Sequence, residues 1–173
     1  ARLGVLRRLT QVLPQCTLEM LFSCMILPKL DYCDVVWGNC GKGLLDKIQR
    51  LHNRAARIIL GLPYVSHIGN TELSSLHWKT LATRRNEHLL QTVYKSVHQQ
   101  LPEYLNVFQM VSEYHNYPTR HSLNRSMQLP QTRLECGRRK FSHRGVGEWN
   151  KLPLSMKNAP NSVTFKRMLK QMN

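Results

Sequence analysis

Acidic residues are scarce in this chain: 10 Asp and Glu stand against 25 Lys and Arg in 173 residues, a formal charge of +15. That deficit leaves most cations without an internal partner and points to a polyanion, either nucleic acid or an acidic membrane surface. Long apolar runs are missing too. The longest, Met20 to Leu27, has eight residues with Ser23 inside it, against the ~18 that a membrane span needs, so no span is expected; of the two polyanions, nucleic acid is the expected partner and a membrane is not. The five cysteines are an odd number and include no CxxC pair. With no leader segment in view, that argues against a secreted disulfide scaffold and for a reducing, intracellular compartment, nucleus or cytoplasm.

Catalytic signatures are equally absent. There is no GxxxxGK[ST], no HExxH and no GxSxG. Cys16, Cys24, Cys33 and Cys40 are spaced 8, 9 and 7 apart, whereas zinc ligands pair within a few residues. We expect these thiols to be small buried hydrophobes on helices. His121, Cys136 and His143 match no zinc module, and no metal site is expected. Asp31 and Asp34 form an i, i+3 pair. Two-metal chemistry wants adjacent carboxylates on a tight turn with a third nearby, so capping or surface pairing is the expected role. His77, His88 and His98 read as structural or solvent-facing.

What the chain does have is a globular composition, with 42% hydrophobic and 20% charged residues. Its charge is uneven. Residues 1–60 hold nine Lys/Arg against four Asp/Glu, residues 61–119 four against four, and residues 120–173 twelve against two. The two ends are therefore expected to touch the polyanion while the middle packs. The first residue is Ala1, inside an uncapped helical stretch 1–13, which predicts that the chain begins within a larger protein.

The fold is expected to be mainly α. Leu18, Leu21, Phe22, Met25 and Ile26 share one helical face, with Thr17 as N-cap. Pro28 then ends that helix or kinks a longer one running to Trp37. Leu44, Ile48, Leu51, Ala55, Ile58, Ile59 and Leu62 make the clearest stripe and predict a helix over 44–61, with Gly61 as left-handed C-cap before Pro63. Thr71 caps a short turn to Leu76, a helix follows over 80–98, and Pro102 opens a short piece to Phe108. Beyond this helical region, 1–108, comes a less regular basic extension, 109–173. It contains period-two alternation over 122–129 that predicts a small hairpin. A short helix over 142–150 and a last helix capped by Ser162 complete it.

On the helix over 44–61, Lys47, Arg50, Arg54 and Arg57 fall within about 80° of one another, beside the apolar face. They span ~15 Å at 1.5 Å per residue. Such a row can follow consecutive phosphates, with arginine offering bidentate contacts. It equally suits a solvated flank whose stems cover the core edge. A second cluster, Arg138, Arg139, Lys140 and Arg144, surrounds Phe141 and His143. The cations read as backbone contacts and Phe141 as core.

Several ordered segments carry a family resemblance. They are Leu3-Gly4-Val5-Leu6-Arg7-Arg8-Leu9, Ile26-Leu27-Pro28-Lys29-Leu30-Asp31-Tyr32-Cys33-Asp34-Val35-Val36-Trp37-Gly38, and Leu51-His52-Asn53-Arg54-Ala55-Ala56-Arg57-Ile58-Ile59. Leu76-His77-Trp78, Arg84-Arg85, Tyr94-Lys95, Pro102-Glu103-Tyr104-Leu105 and Tyr117-Pro118-Thr119-Arg120 follow. Arg144-Gly145, Trp149-Asn150-Lys151-Leu152-Pro153 and Phe165-Lys166-Arg167 close the set. In this order they resemble the region after the catalytic palm in reverse transcriptases of jockey-like non-LTR (LINE-type) retrotransposons.

The resemblance implies a thumb-like helical bundle that grips the template–primer duplex of RNA and DNA, followed by a C-terminal extension. It also implies a parent RNA-directed DNA polymerase that uses magnesium, with palm and fingers as further partners. The family's paired-aspartate turn does not occur here. No catalytic residue carries over, no cofactor is expected in this chain, and the chain alone is expected to be inactive. Two other readings remain: a helical domain that docks on a polymerase palm, and a decayed element remnant without activity.

Overall fold

The computed structural model describes residues 2–114 and 117–172; Ala1, where the first helix was expected to begin, lies outside them. The described chain is mainly helical. It divides into two compact units, Ala1–Arg85 and Asn86–Asn173.

In the first unit α1 (Arg2–Leu9), α2 (Gln15–Met25), α3 (Leu27–Asp31), α4 (Asp34–Trp37), α5 (Lys42–Ile59) and α6 (Asn70–Ser75) precede the start of α7 (Leu81–Val97). The core joins Leu6 of α1, Leu18 and Phe22 of α2, and Ala55, Ala56 and Ile59 of α5. Two successive alanines let the α5 backbone approach its neighbours closely, and both are fully buried. Trp78 stacks on Phe22 at 4.2 Å and lies 5.0 Å from the His52 ring. At the end of α5, Leu60 is followed by Gly61 at φ +65°. The Leu62 N–H donates to Arg57 O at 2.9 Å and the Gly61 N–H to Ile58 O at 3.4 Å. This is the Schellman arrangement that a glycine before proline implies.

Several local expectations change. Helix α1 stops at Leu9 instead of continuing to Leu13, and turn bonds such as Val12 N–H to Leu9 O take over. Thr17 lies inside α2, whose N-cap is Pro14. Pro28 begins a helix rather than ending one: it sits in the first turn of α3, where its missing N–H costs nothing. Thr71 is inside α6. There the Gly69 N–H donates to Glu72 Oε2 at 2.7 Å, and that bond holds the Glu72 carboxyl below its usual range.

The second unit holds the rest of α7, a 3-10 turn over Glu103–Leu105, α8 (Val111–Tyr114), α9 (Arg120–Leu123), α10 (Glu135–Arg138), α11 (Phe141–Lys151), α12 (Leu154–Lys157) and α13 (Ser162–Met172). Trp149, Phe165, Tyr94, Val93 and Val146 centre its core. Tyr94 stacks on Phe165 at 4.4 Å, and its hydroxyl donates to Ala159 O at 2.7 Å. The hairpin expected over 122–129 does not form. Among the described residues the only pairing there is one antiparallel bridge, Met110 with Met127. Around that bridge the Gln128 N–H donates to Gln109 O and the Val111 N–H to Ser126 O, while side chains of α11 pair with both Met127 backbone groups and with the Arg125 carbonyl. Asn161, not Ser162, caps α13, its Oδ1 accepting from Thr164 N–H at 2.8 Å.

The thiols also depart from expectation. Cys16, Cys24, Cys33 and Cys136 are exposed and Cys40 is half-buried. On α2, the two cysteines fall on the side away from Leu18 and Phe22, which are the buried residues of that helix. Among the described residues no helix is long and apolar enough to cross a membrane.

Candidate nucleic-acid interface

Helix α5 carries the candidate row. Lys47, Arg50 and Arg54 are exposed and Arg57 is half-buried. The residues α5 buries are His52, Ala55, Ala56 and Ile59. On a helical wheel their mean direction is about 170° from that of the four cations. The row was expected beside the buried face and stands opposite it. The reason is that Leu44 and Leu51, counted in the apolar stripe, are about half exposed, so the buried face is rotated away from the cations.

Lys47, Arg50 and Arg54 make no ion pair or side-chain hydrogen bond among the described residues. Arg57 differs. Its Nε donates to Ser66 O at 2.6 Å and ties the turn after α5 back to the helix. Its remaining guanidinium N–H groups have no partner among the described residues. Arg57 also lies in the last turn of α5, where a cation faces the negative end of the helix dipole favourably.

Beneath the row, His52 is only 1% exposed. Burial, then the nearby Arg84 cation, lower its pKa to about 4, with Asp31 opposing. It is therefore neutral at pH 7 and adds nothing to the positive face. Arg84 and Arg85, prominent in the sequence, are used internally. Arg84 grips the Asp31 carboxylate with two nitrogens, Nε to Oδ1 at 3.2 Å and Nη2 to Oδ2. Arg85 is buried with its guanidinium 5.7 Å over the Trp37 ring. Asp31 thus takes the pairing role expected of it.

The second cluster lies in the second unit and is less uniform. Arg138, Arg139 and Lys140 are exposed, but Arg139 pairs with Glu135 at 3.4 Å. Arg144 is half-buried, and its Nη1 is buried without a hydrogen-bond partner among the described residues. Phe141 packs on the core, edge-on to Phe108 at 5.4 Å. Only Arg138 and Lys140 of this cluster stand exposed and unpaired among the described residues.

One residue absent from the sequence-based set joins the first row. Arg7 of α1 lines a cavity of about 320 Å³ together with Arg54 and Arg57 of α5 and Tyr64 of the following turn. In the sequence Arg7 stands within the Leu3–Leu9 segment, flanking the apolar side of a helix whose buried residue is Leu6, and nothing there links it to α5.

No family model, curated protein or solved structure matches the chain.

Proposed function

We propose that this chain holds nucleic acid by its sugar–phosphate backbone, as the post-palm thumb region of a non-LTR retrotransposon reverse transcriptase. The observation that supports the reading best is the row Lys47, Arg50 and Arg54, three exposed cations on one side of an 18-residue helix with no carboxylate partner among the described residues. A rigid helix fixes the spacing of their Cα atoms, so binding has to order the side chains and not the backbone that carries them. Backbone contacts carry no base information, and the grip is sequence-independent. Arg138 and Lys140 extend the same chemistry on the second unit. The polymerase chemistry, with its magnesium, belongs to the palm of the parent protein. Within a cell, nucleus and cytoplasm are the compartments where such a template–primer is met.

The test is a binding titration of the full chain on an RNA–DNA duplex across salt concentrations. Three neutralised phosphates give a slope of log K against log salt of roughly −3. A Lys47→Glu, Arg50→Glu, Arg54→Glu variant loses most of that affinity while its circular dichroism stays helical. Unchanged affinity in this variant sinks the proposal. A primer-extension assay with the chain alone yields no product.

A second reading draws on a different observation. Leu44 and Leu51 are exposed on α5 near the row, which suits docking against another domain such as a polymerase palm. Retained binding to a separately supplied palm by the triple-Glu variant, without nucleic-acid affinity in the wild type, favours that reading. A wild type that binds neither leaves the remnant reading.

A further inference from the structure

We propose that the cavity between α1 and the end of α5 is a seat for one unpaired nucleotide of a single strand, its phosphate held by Arg7, Arg54 and Arg57 and its base laid on Tyr64. The proposal rests on the nucleic-acid reading above and gives it a specific site.

Three arginines from two helices line one cavity of about 320 Å³, and no carboxylate is among its lining residues. Its size lies at the lower end of the ~300–1,000 Å³ typical of small-ligand sites. Arg54 and Arg57 are three residues apart, one helical turn, so their guanidinium groups rise from the same side of α5. Arg7 comes from α1, which makes the positive charge converge rather than run along a line. None of Arg7, Arg54 and the Arg57 Nη groups has a side-chain partner among the described residues. Guanidinium forks match phosphate oxygens bidentately.

A helix C-terminus ordinarily repels an anion, because its last carbonyls carry partial negative charge. Here the Arg57 and Ile58 carbonyls already accept from Leu62 and Gly61. The same turn projects Tyr64, a residue 79% exposed. An aromatic ring at that level of exposure, at the rim of a cationic cavity, suits base stacking, which is sequence-tolerant because every base has a π-face. The turn is anchored by the Arg57 Nε bond to Ser66 O, so the ring is presented from a fixed loop. A base inside a duplex is stacked on its neighbours and cannot reach the tyrosine, which restricts the seat to an unpaired nucleotide.

The experiment measures affinity of the full chain for a 12-nucleotide single-stranded RNA and for an RNA–DNA duplex of the same length. Tyr64→Ala is expected to weaken single-strand binding at least about fivefold and to leave duplex binding within twofold, and Tyr64→Phe is expected to retain the wild-type value. Arg7→Ala is expected to weaken single-strand binding more than Arg8→Ala, which removes an equal charge from an exposed neighbour outside the cavity. If the wild type binds duplex but Tyr64→Ala binds both probes as the wild type does, or Arg7→Ala matches Arg8→Ala, the nucleotide seat is overturned and the helix row stands. If the wild type binds neither probe, the nucleic-acid reading itself fails. Tyr64, Arg7 and Arg8 are all exposed, so none of these variants opens the core.

Discussion

Asn150 closes a two-bond ring with the backbone of Met127: its Oδ1 accepts from the Met127 N–H at 2.8 Å and its Nδ2 donates to the Met127 carbonyl at 2.9 Å. The pair does for an irregular segment what a partner strand does in a sheet. Neighbouring side chains repeat the device. Trp149 Nε1 donates to Arg125 O at 3.1 Å, and the buried Lys157 Nζ donates to Asn124 O at 3.1 Å. Burial pushes the Lys157 ammonium below its usual pKa, and no carboxylate pairs with it among the described residues. The Trp-Asn-Lys-Leu-Pro segment is therefore a scaffold element of the second unit.

Replacing Asn150 with Ala leaves both Met127 backbone groups unpaired beside a side chain that is 2% exposed. An unsatisfied buried group costs about 1–3 kcal/mol, and Asn150→Ala is expected to destabilise by about 2–4 kcal/mol in urea unfolding. Asn150→Asp keeps only the acceptor and is expected to lose a comparable amount. A change under about 0.5 kcal/mol would show that the ring contributes nothing.

His52 makes stability depend on pH. Its folded pKa is lowered to about 4 by burial and by Arg84, while the unfolded chain has an ordinary histidine value near ~6.5. Above the unfolded value the histidine is neutral in both states and costs nothing. As pH falls from there towards 4, the unfolded state takes up a proton that the folded state refuses, so stability drops over that window. The full loss is about 3 kcal/mol at 1.36 kcal/mol per pKa unit. Thermal unfolding at pH 7 and pH 5 reads about 2 kcal/mol of it, and His52→Phe is expected to flatten this part of the profile.

Gly61 is tested by alanine. Its φ of +65° lies in the left-handed region and nothing stands within 4 Å of an added Cβ among the described residues, so the cost is conformational alone. Gly61→Ala is expected to destabilise by about 1 kcal/mol, read as a lower midpoint in urea. No loss would mean the turn after α5 relaxes to another conformation.

How much of this could be read from residues alone follows from which force dominates each feature. The helix over 44–61 and its glycine stop are local matters of periodicity and φ, and they stand in the structure nearly as expected. The helix around Trp149 does as well. Which face of α5 is buried was not legible, because Leu44 and Leu51 look like core in the pattern and lack a covering neighbour in space. The caps at Thr17, Thr71 and Ser162 failed for a shared reason: the true boundary lay one to three residues earlier, at Pro14, Gly69 and Asn161. The hairpin stops at a single bridge because alternation records which residues are buried but not what satisfies the backbone, and here Asn150 and Trp149 take the Met127 groups and the Arg125 carbonyl from a helix. For the site, the exposed cations of α5 were legible from spacing. Arg7 was not, since its meeting with Arg54 and Arg57 depends on how α1 packs on α5.

Two glycines on α11 separate packing from propensity. A Cβ at Gly145 would meet Val93 Cγ2 at 2.9 Å and the Phe108 ring at 3.2 Å, both part of the packed core around this helix. Val93 is fully buried, so Gly145→Ala is expected to cost about 1–3 kcal/mol as overpacking. Gly147, two residues on, has nothing within 4 Å of an added Cβ among the described residues. There alanine removes the entropic penalty of glycine in a helix interior, and Gly147→Ala is expected to stabilise by about 0.5–1 kcal/mol. Urea midpoints of the two variants should therefore move in opposite directions from the wild type. A shift of the same sign in both would mean that α11 does not pack on α7 at Gly145, and the second unit's core would have to be arranged differently from the one described.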